Sequence, residues 1–331
     1  MRIWRWLWVA SAVVTLGAAV WLGASVQDAR DLVKIRNALL LEVGPADVFD
    51  WSPQSTPADF RLEHLRAPQP IQQAVDGLLD PATRASDFDA VLAIARDLVA
   101  HHQKPGVPIQ KSTLAAYREI GSGAGYCADY TQVMNGLVQA AGIPIREWGM
   151  SFDGYGGNGH AFSEIFDRQR QQWIFVDSFY SFYVTDEHGA PLSVAEFRRR
   201  LLAPDAPLQV VPIRPEKFAF KSGPAALAYY RRGVERLWLW WGNDVFSYDS
   251  HPLVSRLEGL PKAVQQLAAV ALHVQPRLVV AAGQTEAHGL NELRKLRRLA
   301  LTLMVAGCAL AVLSAALIFK WFQRRRGPRP S

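Results

Sequence analysis

Long apolar runs stand near both ends of the 331-residue chain, and a mixed helix-like and strand-like pattern fills the space between them. Trp6 to Gln27 contains 22 residues without a charge, and Leu299 to Phe319 contains 21. Because about 20 apolar residues cross a bilayer as a helix, both runs are predicted to be transmembrane helices. Two other interpretations stay open: a cleavable signal peptide that ends near Gly23 to Ser25, and a pair of buried core helices.

Between the two runs, the spacing of apolar residues predicts both kinds of secondary structure. Helical spacing occurs over 29–41, 86–99, 112–120, 128–141, 193–202 and 261–273. Alternating or β-branched and aromatic segments predict strands over 145–152, 161–166, 173–176 and 179–185. The chain is therefore divided into a transmembrane anchor with a short cytoplasmic N-terminus (1–27), an extracytoplasmic connector (28–84), a core (85–215), a helical, aromatic-rich extension (216–298), a transmembrane helix (299–319) and a basic cytoplasmic tail (320–331).

A glycine-rich turn leads directly into a cysteine in the segment Gly121-Ser-Gly-Ala-Gly-Tyr-Cys127, and the predicted helix follows at once. Glycine lets the backbone turn sharply and approach a substrate closely. The free amides and the dipole of a helix N-terminus favour a thiolate over a thiol. Cys127 is therefore a candidate nucleophile, although a cysteine in such a segment can also be a small buried apolar residue.

Two predicted strands after this helix carry a histidine and an aspartate. His160 stands at the start of the first strand, and Asp177 stands near the end of the second. The segment 167–171 between them is short and polar, so an antiparallel hairpin is predicted that brings His160 and Asp177 side by side. This pair supplies a base for the thiol and a group that orients the base. Taken singly, His160 is a common surface or core histidine and Asp177 a common turn or cap residue.

The order Cys, His, Asp and its surroundings resemble the transglutaminase-like superfamily of papain-like folds over roughly residues 88–202. Ser178 stands where the family often has proline, and Phe162 stands where tryptophan is common. The resemblance implies an α+β fold in which the nucleophile helix packs on an antiparallel sheet, flanked here by N- and C-terminal transmembrane helices, as in a membrane-anchored bacterial-type member. The matching pieces are Gly125-Tyr-Cys127-Ala-Asp-Tyr-Thr131, Ala140-Ala-Gly-Ile-Pro-Ile-Arg146, Gly159-His160-Ala-Phe-Ser-Glu164 and Trp173-Ile-Phe-Val-Asp177.

The same resemblance implies a cysteine acyltransferase or amide hydrolase that works through a thioester acyl-enzyme, with Cys127, His160 and Asp177 as the catalytic residues. Water as the acceptor gives hydrolysis and an amine gives cross-linking, and the sequence leaves both open. A protein or peptide acyl donor is expected, with other amides or esters as alternatives. The competing hypothesis is a non-catalytic, membrane-bound binding or assembly subunit of a cell-envelope system, with unidentified envelope protein partners.

The net charge of +6 is unevenly distributed along the chain. Residues 1–27 and 294–331 contain eleven basic and no acidic residues, so the middle of the chain carries an acidic excess. This distribution fits the flanks of membrane spans and argues against a nucleic-acid-binding face. Five basic residues after Phe319 indicate a cytoplasmic C-terminus, which predicts an extracytoplasmic middle at the inner or plasma membrane. Four basic residues within 294–298 weaken that signal.

Neither a disulfide nor a cofactor is expected. The chain has only two cysteines, Cys127 and Cys308, and the second lies in the C-terminal apolar run. Cys127, His160 and Asp177 are of types that bind zinc, but the closely spaced ligand pair common in zinc sites is missing. The polar residues beside the triad, Asp129, Glu164 and Ser178, either hold His160 or shape its pocket, and for Asp129 a first-turn acid that favours its helix is preferred.

Overall fold

The computed structural model describes residues 2–25, 29–100, 108–204, 206–257, 262–283 and 287–325. Its helices are α1 (Arg2–Ser25), α2 (Ala29–Leu40), α3 (Gln69–Leu78), α4 (Pro81–Arg84), α5 (Asp87–Ala100), α6 (Thr113–Ile120), α7 (Cys127–Ala140), α8 (Val194–Leu202), α9 (Gly223–Arg231), α10 (Val245–Asp249), α11 (Pro252–Arg256), α12 (Lys262–Ala271) and α13 (Ala287–Arg325). Its strands are β1 (Leu41–Gly44), β2 (Ile145–Ser151), β3 (Gly159–Asp167), β4 (Gln172–Asp177), β5 (Phe182–Thr185), β6 (Gln209–Pro212), β7 (Leu237–Trp240) and β8 (Leu278–Ala281).

The strands of the described ranges form one sheet in the order β1-β8-β7-β2-β3-β4-β5-β6. β1 and β8 are parallel, and the other neighbouring strands are antiparallel. The predicted hairpin is present as β3 and β4, with Ser163 opposite Val176. The sheet also reaches beyond the predicted core, because β1 comes from the segment 28–84 and both β7 and β8 come from the segment 216–298.

Alternation along β3 sends its side chains into two different apolar clusters. Ile165 is fully buried in a cluster that includes Val133 and Leu137 of α7. Phe162 belongs instead to a second cluster, which includes Tyr230 of α9. Successive side chains of a strand point to opposite faces, so the two faces of β3 are covered by different helices. This packing fixes α7, and therefore Cys127 at its first turn, relative to β3 and β4.

Serines stand at the first position of three of the helical ranges predicted from the sequence. Oγ of Ser86 accepts a hydrogen bond from the amide of Asp89 at 3.2 Å, at the start of α5. Oγ of Ser193 accepts one from the amide of Glu196 at 3.1 Å, at the start of α8. Ser112 precedes α6 as predicted, but its side chain makes no capping hydrogen bond.

The C-terminal helix α13 belongs both to the folded domain and to the predicted membrane segment. Near its start, Leu290 and Leu293 are buried in a cluster with Leu40 and Leu41. Further along, α13 is long and apolar enough to cross a membrane, in agreement with the span predicted at 299–319. Residues 326–331 of the predicted basic tail lie outside the described ranges.

The N-terminal helix differs from the sequence-based expectation. Its continuous apolar part, Trp6–Trp21, is shorter than the ~18–20 residues that cross a bilayer. Residues 26–27 of the predicted span lie outside the described ranges. Within the described chain, the expectation of two flanking spans is therefore met at the C-terminal end only.

Helix α1 nevertheless packs along α13. Nε1 of Trp8 donates a hydrogen bond to Oγ of Ser314 at 2.8 Å, and Oγ of Ser11 donates one to the carbonyl of Ala306 at 3.0 Å. As residue numbers rise along α1, the numbers of their partners fall along α13. The two helices are therefore antiparallel neighbours.

Candidate functional site

Cys127 is the first residue of α7, and the turn before it depends on glycine. Gly123 and Gly125 both have positive φ, at 89° and 107°. A Cβ atom on Gly125 would also lie 3.0 Å from Cε2 of Tyr130, so a side chain there meets both backbone strain and a close contact. The turn leaves Cys127 half-buried at the helix N-terminus, where the free backbone amides favour a negatively charged group.

Asp129 holds this turn in place. Its Oδ2 accepts hydrogen bonds from the amides of Tyr126, at 2.9 Å, and Ile109, at 3.1 Å, and its Oδ1 accepts one from the amide of Gln110, at 2.7 Å. The side chain is almost fully buried. Asp129 is a first-turn acid, as preferred from the sequence, and it also joins the segment 109–110 to the turn that carries Cys127.

His160 and Asp177 form a buried hydrogen-bonded pair. Nε2 of His160 lies 2.8 Å from Oδ2 of Asp177, and both side chains are excluded from solvent. The other carboxylate oxygen, Oδ1, accepts the amides of Phe179, at 3.0 Å, and Tyr180, at 2.9 Å. The turn that follows β4 thus anchors Asp177, and the hydrogen bond fixes the Nε2 edge of the imidazole toward this carboxylate.

The second ring nitrogen of His160 has no such partner. Nδ1 is buried and makes no hydrogen bond of ordinary geometry with any described residue. Burial favours the neutral ring, but the charges of Asp177 and Cys127 outweigh it and hold the pKa of His160 well above its ordinary value. The imidazole therefore favours its protonated form.

Aromatic side chains enclose the imidazole. Tyr180 stacks on it, with ring centroids 4.5 Å apart and planes inclined by 24°. Further rings lie 5.8–6.1 Å away; they belong to Phe162, Phe179, Tyr229 and Tyr230. Such rings keep water from the pair, and exclusion of water strengthens electrostatic interactions within it.

Sequence reasoning missed the contribution of α9 to this site. The hydroxyl of Tyr230 donates a hydrogen bond to Oδ2 of Asp177 at 2.7 Å. The hydroxyl of Tyr180 lies 3.0 Å from that of the adjacent Tyr229. Both α9 tyrosines belong to the segment assigned to an extension outside the core. The only sequence feature that marked these residues was a pair of adjacent tyrosines in an aromatic-rich segment. No feature of the neighbouring sequence indicates that either tyrosine contacts Asp177.

Glu164 lies on the same strand as His160 but does not hold it. Its Oε2 accepts hydrogen bonds from Nε of Arg146 and Nε1 of Trp148, each at 2.7 Å, and its Oε1 accepts the amide of Val194 at 2.7 Å. The first of the two sequence-based roles for Glu164 is therefore wrong. Its carboxylate is occupied by a buried arginine and by the first turn of α8.

A cysteine at the start of a helix that packs on an antiparallel sheet, with a His–Asp pair on two adjacent strands, defines a cysteine-protease-like fold. Residues 75–178 match the model of the transglutaminase-like superfamily, so the chain contains a transglutaminase-like domain. The matched range includes Cys127, His160 and Asp177, and it ends before Tyr180 and α9. No curated protein and no solved structure gives a significant match to the chain.

Proposed function

We propose that the chain is a membrane-anchored, transglutaminase-like cysteine acyltransferase or amide hydrolase. The observation that carries the proposal is the buried hydrogen bond between Nε2 of His160 and Asp177, which leaves Nδ1 free beside the half-buried Cys127. A histidine that served only the core would have a partner for both ring nitrogens, since unpartnered buried polar atoms are costly. Catalytic hydrogen bonds are often long before substrate binds.

In the proposed reaction, the Cys127 sulfur attacks the carbonyl carbon of an amide or ester and the C=O π electrons move to oxygen. The thiol proton resides on Nδ1 of His160, which then donates it to the leaving amine or alkoxide as the C–N or C–O bond breaks. Asp177 orients the ring and stabilises the imidazolium. The backbone amide of Cys127, at the first turn of α7, is one candidate donor to the oxyanion.

A thioester between Cys127 and the acyl group remains after this step. Attack by water, or by an amine, with His160 taking the proton, releases an acid or a new amide and restores the thiol. The acyl donor is proposed to be a protein or peptide, and the same site chemistry serves both acceptors.

For the membrane part, we propose that α1 crosses the bilayer together with α13. Two features support this: the helices are antiparallel neighbours, and their hydrogen bonds pair polar atoms that would otherwise face lipid. α1 is 24 residues long, or about 36 Å at 1.5 Å per residue, against a hydrocarbon core of about 30 Å. Both ends of the chain would then lie on the cytoplasmic side and the sheet outside it, which a reporter fused after residue 204 tests. Cytoplasmic behaviour of that reporter would contradict the topology.

The test of the chemistry is labelling of membranes by a carbonyl-directed cysteine probe. Cys308→Ala serves as the background, because Cys127 is then the only cysteine in the chain. Strong labelling that is abolished by Cys127→Ser and reduced at least tenfold by His160→Ala is the expected result. Equal labelling with and without His160 would mean that Cys127 is merely exposed, and the non-catalytic assembly subunit would become the better hypothesis.

A further inference from the structure

The carboxylate of Asp177 has two donors on one oxygen. Oδ2 accepts Nε2 of His160 at 2.8 Å and the hydroxyl of Tyr230 at 2.7 Å, while Oδ1 accepts two backbone amides. With these four donors, the hydrogen-bonding capacity of the carboxylate is filled. Tyr230 therefore acts on the same oxygen that faces the imidazole.

Packing against four phenylalanine rings holds Tyr230 in this position. It is fully buried on α9, and its ring packs against Phe162, Phe175, Phe182 and Phe197 at centroid distances of 5.4–5.6 Å. Its ring cannot turn away from Asp177 without displacing these neighbours. Burial first, and then the adjacent carboxylate, raise the pKa of Tyr230 well above its ordinary value, so its hydroxyl remains a donor throughout the working pH range.

We propose that Tyr230 is a positioning residue of this site, whose hydroxyl bond to Oδ2 of Asp177 limits how strongly the carboxylate holds the imidazolium of His160. The inference rests on the proposed function, because it concerns the same three groups. A proton donor on a carboxylate oxygen withdraws part of its negative charge, so less of it acts on the second donor. If the carboxylate stabilised the imidazolium too strongly, His160 would not return its proton to the leaving group.

The other ionisable groups around this pair do not replace Tyr230. Cys127, at the start of α7, acts on His160 through its charge and a weaker side-chain hydrogen bond. Tyr180 and Tyr229 are bonded to each other through their hydroxyls. Tyr230 is therefore the side-chain hydroxyl that touches the carboxylate within the described residues.

The experiment measures the rate of alkylation of Cys127 by iodoacetamide as a function of pH, in full-length protein with the Cys308→Ala background. Two upward steps are expected: the first when the thiolate forms beside the imidazolium, the second when the imidazolium loses its proton. Tyr230→Phe keeps the ring but removes the donor, so the second step is expected to move up by about 0.5–1 pH unit. A 3-fluorotyrosine introduced at position 230 is a stronger donor and is expected to move it down.

Tyr248→Phe is the matched control, because the Tyr248 hydroxyl is buried without a hydrogen-bond partner among the described residues. It should leave both steps in place. An upper step that stays within about 0.2 unit in both position-230 variants, or that moves in the same direction in both, overturns the proposal. If Tyr230→Phe does not fold, the fluorotyrosine variant alone decides it by the direction of its shift. A wild-type protein that alkylates like a free thiol, with a single step, would instead contradict the proposed function itself.

Discussion

Replacing Glu164 by glutamine is expected to destabilise the protein far more than an isosteric change would suggest. The carboxylate forms an ion pair with Arg146 at 2.7 Å, with the two side chains 0 % and 2 % exposed. The guanidinium contacts the rings of both Trp51 and Trp173, at 4.7 and 4.1 Å from their centroids. Burial lowers the pKa of Arg146, and the carboxylate of Glu164 counteracts that loss. Without the carboxylate, a positive charge remains in an apolar and aromatic surrounding.

The size of the expected destabilisation follows from the three hydrogen bonds that the Glu164 carboxylate accepts. A glutamine has one oxygen, so whichever way the amide turns, its NH₂ group faces either Val194 N–H or the Arg146 and Trp148 donors. Breaking a buried ion pair from one side costs about 3–5 kcal/mol. Relative to a typical stability of about 5–15 kcal/mol, this is a large part of the total. The melting temperature should fall by roughly 6–20 °C.

The assay is thermal and urea unfolding of the full-length protein in detergent, carried out as a double-mutant cycle. In an Arg146→Met background no guanidinium remains to be neutralised, so the cost of Glu164→Gln should shrink by about 1–3 kcal/mol. Glu196→Gln is the control, because Glu196 pairs with Arg199 and Arg200 on the surface and should cost less than about 1 kcal/mol. A cost for Glu164→Gln that is below about 1 kcal/mol, or equal in both backgrounds, would refute this reasoning.

Two further variants test the site and the sheet. Asp177→Asn removes the charge that keeps His160 protonated, so burial dominates and Cys127 should react like an ordinary thiol, with alkylation at pH 6 at least ~10-fold slower and recovery only toward pH 8.5. Gly149→Ala places a Cβ atom 2.5 Å from the ring of Trp238, so it should disrupt the pairing of β2 with β7 and lower stability by at least ~2 kcal/mol in urea unfolding.

Each of these variants has a matched comparison. Gly77→Ala, in α3, adds a Cβ atom with no neighbour within 4 Å and should be neutral or stabilising by up to ~1 kcal/mol; equal losses for both alanines would contradict the steric argument. For Asp177→Asn, a rate at pH 6 equal to that of wild type would mean that the imidazolium does not depend on the carboxylate. Protonation of His160 also makes the stability of the wild-type protein depend on pH. Because the pKa of His160 is raised in the folded state, its protonation contributes fully to the free energy of unfolding below about pH 6.5. This contribution declines as the pH rises through the folded-state pKa.

The local elements of the site could be predicted because their signals are local. The helix after Cys127 follows from apolar spacing, and the β3–β4 hairpin follows from two apolar strands around a short polar turn. Since a hairpin of this length pairs its own strands, His160 and Asp177 had to come close to each other. The apolar composition of the C-terminal run likewise predicted α13, although its first turns serve the folded domain. In α1, the continuous apolar part found within the described residues, Trp6–Trp21, is shorter than the predicted run.

Other features required the tertiary structure. Tyr230 reaches Asp177 from 53 positions away, and Arg146 reaches Glu164 across a strand pairing. The strands β1, β8 and β7, which form one end of the sheet, come from segments that look like a connector and an extension. A four-residue strand, or a pair of tyrosines in an aromatic segment, carries no pattern that identifies a distant partner, because such contacts depend on how whole elements pack. The sequence by itself determined which residues form the helix that begins at Cys127 and the hairpin that carries His160 and Asp177, because these patterns are local. Only the packing of whole elements decided which side chains surround these residues, orient them and set their charge.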